Sequence, residues 1–164
     1  MKQTELFLKE LKNESKATRE MLSRIPDDKF DWQPHPKSMT IKSLATHIAD
    51  LPSWVGMALN TTELDFAANP YEPKNINTTK ELLTELENNI ADGINQLENA
   101  KEDQFSEPWT LRNGDQILST GTKADIIRMS LSQIIHHRAQ LGVYLRLLDI
   151  PIPGSYGPSA DESF

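Results

Sequence analysis

The stretch KADIIRMSLSQIIHHRAQLGVYLRLL (123–148) decides the fold. Ile127, Leu131, Ile134, Leu141, Tyr144 and Leu148 recur at three- and four-residue steps, which places them on one face of a single long α-helix. Thr122 and Asp125 at its start resemble a capping box, with Asp in place of Glu or Gln. His137 falls on the same stripe, between Ile134 at i−3 and Leu141 at i+4.

Working outward, three more segments carry the same period. The first runs over about 2–25, with Leu8, Leu11, Leu22 and Ile25 spaced by threes, fours and their sums, and Pro26-Asp27-Asp28 as its stop. DWQPHPKSMT (31–40) reads as a loop. A second helix is expected from the N-cap Thr40 to about Leu59, with Leu44, His47, Ile48, Leu51, Trp54, Val55 and Ala58 on one face. Pro52 interrupts it and predicts a kink, because proline removes a backbone donor and crowds the preceding turn. Residues 60–77, including Asn69-Pro70-Tyr71-Glu72-Pro73, read as a connecting loop long enough to be a functional crossover. A third helix is expected over about Thr79 to Lys101, where Gly93 costs roughly 1 kcal/mol relative to Ala. In PWTLRNGDQILST (108–120), Asn113-Gly114 is the favoured type I′ pair, so a hairpin is expected between Trp109–Arg112 and Asp115–Leu118. A lone hairpin is marginal, so Trp109 or Leu118 must lean on the helices.

Four amphipathic helices of this length bury their stripes against one another, which gives an all-α class: a four-helix bundle over 1–150 with a small β-hairpin between helices 3 and 4. Residues 151–164 are expected to be a Pro/Gly-rich tail, loosely ordered at its end. The long connection after the second helix leaves simple up-and-down and crossover topologies both open.

Composition agrees. The chain has 164 residues, one domain's worth, of which 37% are hydrophobic and 25% charged. Seventeen Lys and Arg against 24 Asp and Glu give a net charge of −7, which argues against broad nucleic-acid binding. There is no cysteine, hence no disulfide framework, thiolate metal site or cysteine nucleophile. No apolar run is long enough to span a bilayer, and MKQTELFLKELKNESK (1–16) lacks the continuous apolar core of a signal peptide, so a cytoplasmic protein is expected.

The chemistry-bearing candidates are His47 and His137, each on an apolar stripe. One histidine in such a place is most often a hydrogen-bonded core residue. Two on separate stripes make a shared metal site an equal contender, since facing helices can bring ligands to one point. His136 lies about 100° off the stripe and reads as a surface or interface residue. His35 reads as a loop residue. Zinc-binding helix motifs, phosphate loops and nucleophile elbows are absent. Trp32, Trp54 and Trp109 read as core or hairpin anchors.

Two segments, DKFDWQPHPKSMTIKSLATHIADLPSW (28–54) and HHRAQLGVYLRLLDIPIPGSYG (136–157), resemble the DinB/YfiT-like family. The first is similar to its Pro-rich loop, Ser/Thr cap and helix-two histidine, the second to its H-H-R-G-Q-L-x-x-Y-L-R signature, with Ala139 in the glycine position. The resemblance implies a four-helix bundle with a long crossover, a homodimer, and a divalent metal (zinc, nickel or iron) held by three histidines. Carried onto this chain, the ligands are His47, His137 and Gln133, so an amide oxygen replaces the third imidazole. Gln133 keeps the i, i+4 geometry but is a weaker donor. Asp50 is either a helper carboxylate or a surface residue, and Arg138 and Gln140 contact a neighbouring helix or a dimer partner. The implied activity is that of a thiol-dependent transferase or a hydrolase acting on a small electrophile, the nucleophile being a low-molecular-weight thiol or water. The alternative is a non-catalytic bundle whose degenerate metal site binds a small ligand or serves a dimeric interaction.

Overall fold

The computed structural model describes residues 2–70, 72 and 74–163; Tyr71 and Pro73 of the expected loop lie outside them. Five α-helices follow one another: α1 (Gln3–Leu22), α2 (Ile41–Asp50), α3 (Trp54–Asn60), α4 (Thr79–Asn99) and α5 (Lys123–Leu147). A small sheet of β1 (Glu63–Asp65), β2 (Pro108–Asn113) and β3 (Gln116–Thr122) sits beside them. The expected second helix is α2 and α3 together, broken by a 3₁₀ turn over Leu51–Ser53. Pro52 causes that break, and carbonyls around it and at the end of α3 take side-chain donors from α5. Ser130 Oγ donates to Leu51 O at 2.7 Å, and Lys123 Nζ donates to Leu59 O at 2.8 Å near the end of α3.

The topology left open by the sequence is settled by packing. Helices α1, α2 and α3 each pack on both α4 and α5. The helices α1 and α2–α3 therefore lie diagonally across the bundle, as do α4 and α5, while α2–α3 and α4 are neighbours. The crossings are made by 23–40 and 100–122, and the long 60–77 connection, expected as the crossover, joins adjacent helices. Gly93 belongs to this arrangement. A β-carbon there would come within 3.0 Å of Pro52 O and 3.1 Å of Leu11 Cδ2, so glycine lets α4 approach the kink. Thr122 caps α5 as expected, with its side chain accepting from Asp125 N and the Asp125 carboxylate accepting from Thr122 N at 2.8 Å.

Two expectations are corrected. The 60–77 connection is not all loop: β1 pairs in parallel with β2, Leu64 opposite Leu111. Three residues are too few to show an alternation. The strand is held instead by Arg112, which pairs with Glu63 and Asp65 at 2.7 Å. The hairpin is also shifted from its expected register. Asn113 pairs with Gln116, so Gly114-Asp115 is the loop. Gly114 alone of the two has a positive φ, +58°, which places glycine first as in a type II′ rather than a type I′ turn. The shift lets Gly114 N donate to Asp65 Oδ1 at 2.8 Å, joining the turn to β1. Trp109 is the anchor, buried with Nε1 donating to Thr61 Oγ1 at 3.0 Å, while Leu118 stays exposed. The tail folds back: Asp161 pairs with Arg146, Glu162 with Arg24, and Ser159 Oγ donates to Ile152 O.

The core is in two parts. One holds Leu22, Ile41, Leu44, Ile48, Leu86, Leu141 and their neighbours. The other holds Leu11, Leu51, Val55, Leu97, Trp109, Ile127 and Leu131 among others. Between them α1 contributes buried Glu14, Ser15 and Thr18, α2 contributes Thr46 and His47, and α5 contributes Gln133, His137 and Arg138. The bundle has a polar waist, and the candidate residues lie in it.

Candidate metal centre at the bundle waist

Helix α2 brings His47 to the waist one turn before the Pro52 break, and α5 brings Gln133 and His137, four residues apart on one face. His47 Nε2 and Gln133 Oε1 are 3.2 Å apart. The His47 and His137 rings lie edge to face with centroids 4.9 Å apart and planes at 71°. Side chains separated by ninety positions in sequence, and the amide, are thus neighbours in the fold. All three are half-buried.

The Nδ1 of His137 lies 2.9 Å from Gln140 Oε1; with that oxygen as the acceptor, Nδ1 carries the proton and the Nε2 lone pair is left for a ligand. Burial pushes its pKa below the ordinary 6.5, the Gln140 bond pulls it back up, and the neighbouring His47 and His136 lower it further. The imidazole is therefore held neutral, the form that ligates. His47 packs its ring edge-to-face on Trp54, at 6.5 Å.

The donor set fits a divalent ion in geometry and only in part in chemistry. Ligand atoms about 2.0–2.2 Å from a shared tetrahedral ion sit about 3.3–3.6 Å from each other, and two imidazoles aimed at one ion hold their centroids about 5.1–5.3 Å apart. The observed 3.2 Å and 4.9 Å fall slightly short of those spacings, close enough that small side-chain adjustments would reach them. Among the described residues, however, no group of three or more His, Cys, Asp or Glu could hold an ion, so the site has two imidazoles and one neutral amide oxygen. The 3.2 Å contact also competes with ligation. As a hydrogen bond it places the proton on His47 Nε2, and a metal must displace that bond, worth about 1 kcal/mol.

The other candidates separate clearly. His136 is exposed and stacks against His137 at 5.0 Å. His35 is an exposed loop residue whose Nδ1 accepts from Lys37 N. Asp50 accepts from Trp54 Nε1 and Ser53 Oγ, both at 3.4 Å, and makes no hydrogen bond to His47. Trp32 packs edge-on against Tyr144. Arg138 turns to α1. It pairs with Glu14 at 2.8 Å, donates to Thr18 Oγ1 and Glu14 O, and meets Tyr156 OH of the tail at 3.0 Å.

Sequence reasoning missed the wall beside His47. A cavity of about 480 Å³ opens there, lined by Met39, Lys42, Ser43, Thr46, Lys74 and Asn75 as well as His47. The signal was present: within α2, Lys42, Ser43 and Thr46 form a polar flank that ends at His47, on the border of the stripe holding Leu44 and Ile48. A face with two hydroxyls, a lysine and a histidine is a lining rather than a solvated surface.

A crossover bundle with a histidine pair at its waist defines the class of protein. The sequence model of the DinB family matches residues 1–163, and the chain belongs to that family. It is 26% identical over 160 residues to the uncharacterized protein YrdA of Bacillus subtilis, covering 95% of this chain and 89% of that one. Among solved structures it resembles the DinB-like protein YjoA of Bacillus subtilis, with a TM-score of 0.69 at 18% identity over 90% of this chain and 96% of that chain. A mycothiol-dependent maleylpyruvate isomerase shares the fold at a TM-score of 0.62 and 18% identity, over 85% of this chain and 60% of that protein. Among the described residues no helix is long and apolar enough to cross a membrane.

Proposed function

We propose that this DinB-family protein binds one divalent metal ion through His47, His137 and Gln133 and uses it in a thiol-dependent transfer or a hydrolysis on a small electrophile. The meeting of two imidazoles and an amide, one of them, His47, also on the wall of a cavity, carries this reading. A bound ion would supply Lewis acidity, lowering the pKa of a thiol or water. The protein's own part is to keep His137 neutral through burial and the Gln140 bond, to set the His47 ring against Trp54, and to leave the cavity side open. The fold shared with a thiol-dependent isomerase supports the chemistry by analogy of fold alone. The absence of cysteine agrees with an external nucleophile.

The test uses protein purified without a metal-affinity tag. Loaded with Zn²⁺, Ni²⁺ or Fe²⁺, it should turn over an epoxide or aryl halide with a low-molecular-weight thiol, or hydrolyse an activated ester, and H137L should lose that activity. A wild type that takes up none of these ions at micromolar levels sinks the proposal.

One observation favours a second reading. The His47–Gln133 contact gives His47 Nε2 and Gln133 Oε1 a partner in each other with no ion needed. On that reading the metal site has decayed and the cavity serves as a small-ligand pocket. The exposed Val143 and Leu147 on α5, both 60% accessible, support association with a second copy as a homodimer. Sedimentation of wild type against V143E/L147E checks the dimer.

A further inference from the structure

We infer that the cavity beside His47 takes a small organic carboxylate, its acid group held by Lys42 Nζ and Thr46 Oγ1. This deepens the metal-site reading by assigning the charge of the substrate, and it rests on that reading only for the statement that the reacting end lies toward His47.

Lys42 is the first observation. Seven basic side chains among the described residues are buried or half-buried: Arg19, Arg24, Lys29, Lys42, Arg112, Lys123 and Arg138. Six of them pair with a carboxylate. Lys42 does not. Its ammonium donates instead to two neutral amides, Asn77 Oδ1 at 2.7 Å and Asn75 Oδ1 at 3.3 Å. Its stem is half-buried and its ammonium stays at the surface, so in a chain of net charge −7 it stands without a counter-ion and open to an anion. The two amides fix its position without neutralising it, and its third proton is unassigned.

Thr46 is the second. It is 4% exposed and lines the same cavity, yet its Oγ1 has no hydrogen-bond partner among the described residues. A helical threonine usually returns its hydroxyl to the carbonyl four residues back. Here that carbonyl belongs to Lys42, and the bond is not made. Lys42 and Thr46 are one turn apart on one face, so ammonium and hydroxyl can serve the same oxygen pair. Ser43 and His47 repeat that spacing one position on. Lys42 and His47 differ by about 7.5 Å of helix rise, the span of a small acid with a reacting atom at its far end.

The remaining charges define the other end. Lys74 also lines the cavity, but Glu85 neutralises it. Thr46 and Lys74 also border a crevice of about 30 Å³ whose other walls are Asp50, Glu72 and Glu85. A carboxylate is repelled from that side and directed to Lys42.

The experiment is an amide-resolved NMR titration of metal-free protein in chelator. The probes are acetate, hexanoate, benzoate and succinate, each against its uncharged amide. At least one acid should saturate, shifting Lys42, Thr46 and His47, with its amide at least about tenfold weaker, the usual worth of one charge-assisted hydrogen bond. K42M should lose that affinity about tenfold, T46V about threefold, and K42R should retain it. Equal binding of acids and amides, no saturation by any acid, or K42M at wild-type affinity would each overturn the inference. Zn²⁺ titration of the same samples tests the metal site separately, so a failed metal site and a failed acid pocket give different results.

Discussion

His137 and Arg138 are neighbours on α5, yet they belong to two differently built halves of the waist. Arg138 faces α1, where Glu14, Thr18 and Tyr156 take its donors and Tyr156 OH in turn donates to Glu14 Oε2 at 2.8 Å. Its side chain is 3% exposed and that of Glu14 9%. His137 faces α2, where its ring meets that of His47, and His47 in turn lines a cavity. A step of about 100° around one helix separates a closed polar network from an open one. Buried polar groups that exhaust their partners internally hold helices and tail in place. Those that do not are available to a ligand.

The largest expected effect comes from breaking the closed half. R138M leaves the Glu14 carboxylate buried beside no cation, and should cost about 3–5 kcal/mol in urea unfolding. A loss below about 1 kcal/mol would mean the network is not the lock that the comparison requires. Sharpening the open half comes next. Q133H should raise Zn²⁺ affinity by about 10- to 100-fold in calorimetric titration, because a third imidazole replaces a weak oxygen. H47L in metal-free protein should change stability by less than about 1 kcal/mol, since one neutral hydrogen bond is exchanged for apolar burial. A loss as large as that of R138M would erase the distinction between the halves.

The smallest effect is on pH dependence. The folded pKa of His137 is depressed below the unfolded value near 6.5, so the unfolded chain binds this proton more readily. The contribution is present above that ordinary value and is lost as pH falls through the folded one. The His137 Cε1 proton should titrate below 6.5, and H137L should flatten the acid limb of the stability curve. A midpoint above 6.5 contradicts the neutral, ligand-ready ring.

The sequence made the open half legible and hid the closed one. His47 and His137 could be found because each interrupts an apolar stripe with a single ligand-type residue. The network on α1 left a different trace. The stripe passes from Leu11 to Met21 and Leu22 with no apolar residue on that face over the two turns between, where Glu14, Ser15 and Thr18 are buried instead. That gap shows that something polar is enclosed, but not that Arg138 reaches it, since the pairing is long-range. The cavity face of α2 was readable as a second helical stripe, of polar residues. Strand β1 and the turn register were not, because both depend on the Asp65 carboxylate meeting Arg112 and Gly114 across about fifty residues. Local turn propensity cannot anticipate such a partner.

Zn²⁺ titration of tag-free protein by calorimetry, with H47L and H137L alongside, tests the account most directly. One ion per chain at micromolar concentration, abolished alike by substitution on either helix, is the predicted result. Wild type that takes up no Zn²⁺, or uptake unchanged by either substitution, would contradict it.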